Sequence, residues 1–342
     1  MKKQGQYKRQ TRDEKMVKVT DSIIEALKNG TVPWRKPWQP VVGLGENAFN
    51  PNLHHNAITG RRYNGFNVLI LSVAQEIGEY ETPEWLTFNQ AKKAGGYVKA
   101  GQRSHTISYW NIEEKEVEEE DANGNIPIVK KKIFDFRTMG VFNIGQTENV
   151  KLPDHSRKLA KIEAIKNSRE WDDVSEAEIV ANSYIGREHN GPALKLVGGS
   201  DAAFYHPFSD SITLPEKVQF SSGDRYYSTL FHEMGHSTGH TSRLDRDFNG
   251  HEQGSRDYSF EELVAELTAA YLSRETGTDN TDASEQNAAY IASWLKRLEN
   301  DRNMIIKASA HAQRAAHHIL KQTGLYGSEN APEEAEVEAV AA

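Results

Sequence analysis

His232, Glu233, Met234, Gly235 and His236 spell HExxH. On a helix, two histidines at i and i+4 share one face and can grip one metal ion, while the intervening glutamate points to where a bound water would lie. That is the constellation of a zinc hydrolase, with His232 and His236 as ligands of Zn2+ and Glu233 as general base. Three fixed positions also arise by chance, so the surroundings carry weight. Tyr227, Leu230, Phe231 and Met234 are spaced to bury one side of a helix, which sets the histidines at the border of a core. Ser221 with Asp224 offers a helix start, and Gly239 a stop.

A hydrolytic zinc site takes three protein ligands and keeps its fourth place for water. Gly239 follows the longer pattern HExxHxxGxxH, but the place of its last histidine is held by Ser242. His240 lies at the end of the same helix and is a poorer ligand than one from a second helix. The segment 259–273, SFEELVAELTAAYLS, supplies that helix, with Leu263, Leu267, Ala270 and Tyr271 on its buried side. Glu262 and Glu266 face the same way there. Glu262 is assigned as ligand and Glu266 as the carboxylate that holds a ligand histidine by its other N–H, with the swapped assignment left open. A bland account of Glu262 also exists, because Ser259-x-x-Glu262 reads as a capping box.

In such a site zinc would lower the pKa of its water towards about 7, and Glu233 would take the proton and deliver it to a leaving amine. Tyr258, His240 and His251 are candidates for a further donor to the oxyanion. Upstream, 202–205 and 211–214 read as two short strands, one of which could hold an extended peptide by backbone pairing.

The whole chain bounds these readings. Hydrophobic content of 37% over 342 residues is enough for real cores, and the length allows two domains. The absence of cysteine excludes a disulfide framework, a thiolate zinc site and a cysteine nucleophile. No apolar run approaches a membrane span, and MKKQGQYKRQTRDEK lacks the apolar stretch of a secretory signal, so a soluble cytoplasmic protein without membrane contact is expected. The net charge of −8 hides an asymmetry. Residues 1–110 hold 16 Lys+Arg against 9 Asp+Glu, whereas residues 111–342 carry 25 against 40. One half can approach phosphates and the other cannot.

Periodicity predicts a helix over 16–29, ended by Gly30, then VPWRKPWQP held extended by its prolines. Further helices are expected over 68–78 and 87–94, a strand over 97–110, and a long hairpin over 112–136 turning at DANG, 121–124. Polar residues 146–158 read as a linker. Residues 284–323 read as one or two amphipathic helices with His311, His317 and His318 on the surface, and the acidic tail 329–342 as disordered. The expected organisation is α+β in two domains: a DNA-binding domain over 1–145 and a metallopeptidase domain over 159–328.

Single-stranded DNA is bound without sequence preference by cationic side chains interleaved with aromatic platforms. The first half has both: Trp34, Arg35, Lys36 and Trp38; Arg61, Arg62 and Tyr63; Trp85, Lys92, Lys93, Lys99 and Arg103, with Phe88 and Tyr97 between. The competing account places the tryptophans in a core.

Several blocks in order, among them VPWRKPW, NAITGRRYNGFN, PEWLTFNQAKKAGGYVKAGQ, DSITLPEKVQF, YYSTLFHEMGHSTGHTSRLDR and EELVAEL, make the chain resemble the ArdC-type antirestriction proteins of conjugative plasmids over nearly its whole length. The resemblance implies a single-stranded-DNA-binding domain shared with some plasmid primases, a zincin-like metallopeptidase domain, and protection of incoming plasmid DNA from host restriction. A looser similarity is to HExxH peptidases whose third ligand lies in Glu-x-x-Ala-Asn/Asp. Here Glu262 and Ala265 match, and Glu266 replaces the last residue. An active peptidase would cut a host restriction or DNA-bound protein. The alternative is a strand-coating or replication accessory protein whose metal domain is structural or a docking surface.

Overall fold

The computed structural model describes residues 12–30, 32, 34, 54–118, 128–153, 175–186, 194–246, 256–278 and 287–324. The segment from Arg35 to Trp38, the turn at 121–124, His251 and the tail 329–342 lie outside these residues, as does the side chain of Tyr258.

In the first half, α1 (Arg12–Lys28) buries Ile23, Ile24 and Leu27 and stops before Gly30, whose φ of 81° is left-handed. Next, α2 (Phe66–Ile77) is buried over most of its surface, from Phe66 through Ala74. Thr87 caps α3 (Phe88–Lys93): its Oγ1 accepts from the Gln90 N–H at 3.2 Å while Gln90 Oε1 accepts from the Thr87 N–H at 2.8 Å. That reciprocal cap fixes a short helix with Lys92 and Lys93 outward.

The main sheet has the order β1-β2-β5-β4, from β1 (His55–Asn56), β2 (Glu84–Leu86), β4 (His105–Glu118) and β5 (Ile128–Asn143). The hairpin expected over 112–136 is the far part of the β4–β5 ladder, which runs from His105↔Val141 to Glu118↔Ile128. The strand expected over 97–110 is two strands. A turn through Gly101 at φ 80° separates β3 (Tyr97–Val98) from β4, and β3 pairs instead with β6 (Thr147–Glu148). Residues 147–148 of the expected linker 146–158 thus form a strand of this half, and residues 154–158 lie outside the described residues. Gln146 is buried, and its side chain bonds Asn143 N, Gln102 Oε1 and the Arg103 carbonyl, so it belongs to the first half's fold.

The second half opens with α4 (Ser175–Tyr184), a helix that periodicity did not single out. A three-stranded sheet of order β7-β9-β8 follows, from β7 (Lys195–Val197), β8 (Phe204–His206) and β9 (Ser211–Thr213), with β8 on an edge. Then come α5 (Gly223–Ser237), α6 (Arg256–Thr276), α7 (Asn287–Asn300) and α8 (Met304–Lys321). His311, His317 and His318 are half-buried on α8 rather than at the surface.

The two halves share one apolar core, in which Ile23, Leu27, Trp34 and Leu69 join Phe231, Leu263, Leu267 and Ile305. Polar bonds cross the same seam: Arg62 reaches Glu275 at 3.3 Å, and the Gly65 N–H donates to Gln313 Oε1 at 3.1 Å. The helix that carries the HExxH motif is thus packed inside a core that both halves build.

Candidate metal centre

Ser222, rather than Ser221, starts α5, its Oγ accepting from the Arg225 N–H at 3.2 Å. Tyr227, Leu230, Phe231 and Met234 are buried as their spacing requires, which leaves His232 and His236 on successive turns of the rim. Gly235 decides how near α6 can come. A Cβ there would stand 3.0 Å from Ala265 Cα and 3.2 Å from Thr268 Cβ, so the two helices cross where a side chain is missing. Glu262 sits three residues before Ala265, about one turn along α6.

The crossing brings three side chains together. His232 Nε2 and His236 Nε2 are 3.1 Å apart, and Glu262 lies 3.6 Å from the first through Oε2 and 3.4 Å from the second through Oε1. Two donors each about 2.1 Å from a tetrahedral ion are separated by about 3.4 Å. The spacing and the N, N, O donor set fit a divalent ion of the zinc type. Because α6 begins at Arg256, Ser259 and Glu262 are both inside the helix, which removes the capping-box account of Glu262. Glu266 faces the other ring nitrogen of His232, Nδ1, at 3.9 Å, so the geometry favours Glu262 over the swapped assignment.

Electrostatics agree with the geometry. Burial lowers the pKa of His236, but Glu261 and Glu262 outweigh it and push the imidazole up to about 10. His232 is raised too, against burial, chiefly by Glu262. Burial would raise the Glu262 carboxyl, yet the two histidines hold it well below the usual carboxylate range. Without a cation the cluster retains protons, which a metal must displace. Glu233, between the two histidines in sequence, is 6% exposed and acts electrostatically on His232.

Sequence reasoning missed the support behind this cluster. Glu261 Oε1 lies 3.4 Å from His236 Nδ1, and Arg246 grips Glu261 from the far side. Arg243 donates from Nε to the Ser237 carbonyl at 2.7 Å and pairs with Asp210, which also accepts from the Tyr205 hydroxyl at 2.8 Å. The two arginines recur at i and i+3 within SRLDR, close after the motif. That spacing alone does not say that they turn back onto the helix. His240 is engaged with its own loop, its Nδ1 accepting from the Ser242 N–H at 3.2 Å.

Most of the expected DNA-contacting residues are placed. Arg61, Lys92, Lys93 and Arg103 are exposed, and Lys99 is half-exposed with Nζ donating to the Gly145 carbonyl at 2.9 Å. Arg62 faces Glu275 and lines, with Arg274 and His317, a cavity of about 40 Å³ at the seam. Tyr63 is half-buried, with its hydroxyl accepting from Asn56 Nδ2 at 3.4 Å. Two assignments are overturned. Trp34 is 1% and Trp85 0% exposed, because both rings fill cores, and Trp85 also donates from Nε1 to His54 Nδ1 at 3.1 Å. Among the described residues of the first half, Phe88 and Tyr97 are the exposed large aromatic rings, at 56% and 51%.

Residues 13–142 match the family of the N-terminal domain of anti-restriction factor ArdC, and residues 190–311 match a zincin-like metallopeptidase family. The chain is 30% identical over 302 residues to an uncharacterised protein, y4eC, of Sinorhizobium fredii, covering 87% of this chain and 89% of that one. The chain belongs to the ArdC-like antirestriction family. Two DNA primases named TraC, from Escherichia coli, are 37% and 36% identical over 88% of this chain. The chain spans only 26% and 19% of their lengths. Crystal structures of the antirestriction ArdC protein from plasmid R388 share the fold. The metal-free form is 29% identical with a TM-score of 0.65, covering 91% of this chain and 98% of that one. The Mn(II)-bound form is 28% identical with a TM-score of 0.66, covering 91% and 99%. A zincin-like domain implies a metal, and the Mn(II)-bound relative points to a divalent one. Among the described residues, no helix is long and apolar enough to cross a membrane.

Proposed function

We propose that this protein protects incoming plasmid DNA from host restriction during conjugation by binding single-stranded DNA through its basic half and hydrolysing a protein target at a zinc centre. His232, His236 and Glu262 would hold the ion, and their convergence at 3.1–3.6 Å carries the reading. When bound, zinc would polarise a peptide carbonyl and lower the pKa of a water beside it.

The chain's own groups do the rest. Glu233 accepts a proton from the attacking water at a carboxylate oxygen and returns it to the amide nitrogen as the C–N bond breaks, so water is divided between the two products. The edge strand β8 is where an extended peptide would pair with the sheet. On the first half, the exposed cations of α3 and its flanking turns lie near the exposed rings of Phe88 and Tyr97, a combination suited to backbone neutralisation and base stacking.

A second reading, strand coating without catalysis, draws on the alignment with the TraC primases. Glu233→Gln separates the two when assayed for protection of transferred plasmid DNA. Catalysis predicts lost protection with metal and DNA binding kept, and retained protection would favour coating.

A further inference from the structure

Behind the cluster, Arg246 bonds Glu261, Thr238 and the Gly235 carbonyl. We propose that Arg246 is a positioning residue for the metal centre: by clamping Glu261 it fixes the ring of His236 so that Nε2 faces His232 and Glu262. The inference rests on the metal-binding reading above.

One guanidinium makes four hydrogen bonds. Nε donates to Glu261 Oε2 at 2.9 Å and Nη2 to Glu261 Oε1 at 2.7 Å, a bidentate fork that stops the carboxylate from rotating. Nη1 donates to Thr238 Oγ1 at 2.7 Å and Nη2 to the Gly235 carbonyl at 2.9 Å, both on or just past the HExxH helix. The same rigid plane therefore ties α5 to the carboxylate of α6. Glu261 in turn accepts from His236 Nδ1–H, so Nε2 is the nitrogen that faces the site and would lose its proton to an incoming ion. The side chains of Arg246 and Glu261 are 7% and 5% exposed, so water cannot replace either partner. The neighbouring Arg243 cannot substitute, since it is committed to Asp210 and the Ser237 carbonyl. Lysine at 246 would keep the charge and lose the fork.

The test is zinc affinity of the full chain, by competition with a chromogenic chelator, alongside the melting temperature of the metal-free protein. Arg246→Gln leaves Glu261 buried without its main partner and lowers both stability and affinity. Arg246→Gln/Glu261→Gln removes both charges, so stability recovers towards wild type. A positioning role predicts that zinc binding stays about 10–100-fold weaker in this double variant, because no carboxylate orients His236. Arg246→Lys, with the charge retained, is expected to weaken zinc about tenfold. Recovery of wild-type zinc affinity together with stability in the double variant, or unchanged affinity in Arg246→Lys, would overturn the inference while leaving the metal reading intact. A wild-type chain that takes up no zinc would overturn both.

Discussion

Gly235 lies so close to Ala265 that a methyl group on it would stand 3.0 Å from the Ala265 Cα and 3.2 Å from its carbonyl oxygen. The middle of the HExxH motif is therefore also the contact that lets α6 deliver Glu262. Gly235→Ala would push the helices apart against backbone, which does not yield as a side-chain tip does. The expected cost is about 1–3 kcal/mol of stability, together with weaker zinc binding because Glu262 retreats from the histidines. Thermal unfolding and chelator competition on the same preparation check both effects, and unchanged zinc affinity would separate the crossing from the centre.

Zinc binding should strengthen with pH. In the metal-free protein His236 keeps its proton up to about pH 10, while zinc takes only the neutral imidazole. Each proton displaced makes affinity rise about tenfold per pH unit, so about 100-fold from pH 6 to pH 8 for one proton. Metal-free stability runs differently. A raised histidine pKa stabilises the fold fully below its ordinary 6.5, a benefit lost as pH climbs through about 10. A depressed Glu262 stabilises above its ordinary 4.5, and that benefit is lost as pH falls. The cluster thus contributes most between 4.5 and 6.5 in the absence of metal. Melting temperatures of chelator-treated protein, taken from below pH 4.5 to above pH 6.5, check the sign: they should fall on both sides of that window.

Strand binding is expected to depend on exposed residues of α3 and its surroundings rather than on buried tryptophans. Lys92→Gln/Lys93→Gln should reduce the salt dependence of single-strand affinity by about one to two units of slope. Phe88→Ala and Tyr97→Ala should each weaken binding by about 1–3 kcal/mol if a base stacks there. Trp85→Ala, by contrast, should destabilise the first half by about 3–5 kcal/mol. Fluorescence anisotropy on a labelled oligonucleotide at several salt concentrations distinguishes these outcomes.

Local patterns were legible in the sequence, and tertiary ones were not. The pairing of His232 with His236 follows from helical spacing, and Glu262 from its place on a second amphipathic segment. Thr87 announced its helix through a reciprocal cap that needs only the four residues from Thr87 to Gln90. Glu261 differs from Glu262 by one position, yet its task is set by Arg246, which arrives from a separate loop. Trp34 and Trp85 sit among cations in sequence, but composition does not encode which way a ring points, and both turned inward. The break at Gly101 was hidden because apolar alternation continues on either side of the turn.

His232, His236 and Glu262 are proposed to hold one divalent cation together. Metal analysis of the full chain, loaded with zinc and desalted, tests it against the His232→Ala/His236→Ala variant. About one zinc per wild-type chain is expected, and almost none in the variant, with both proteins folded. Equal zinc in the two, or none in the wild type, would contradict it.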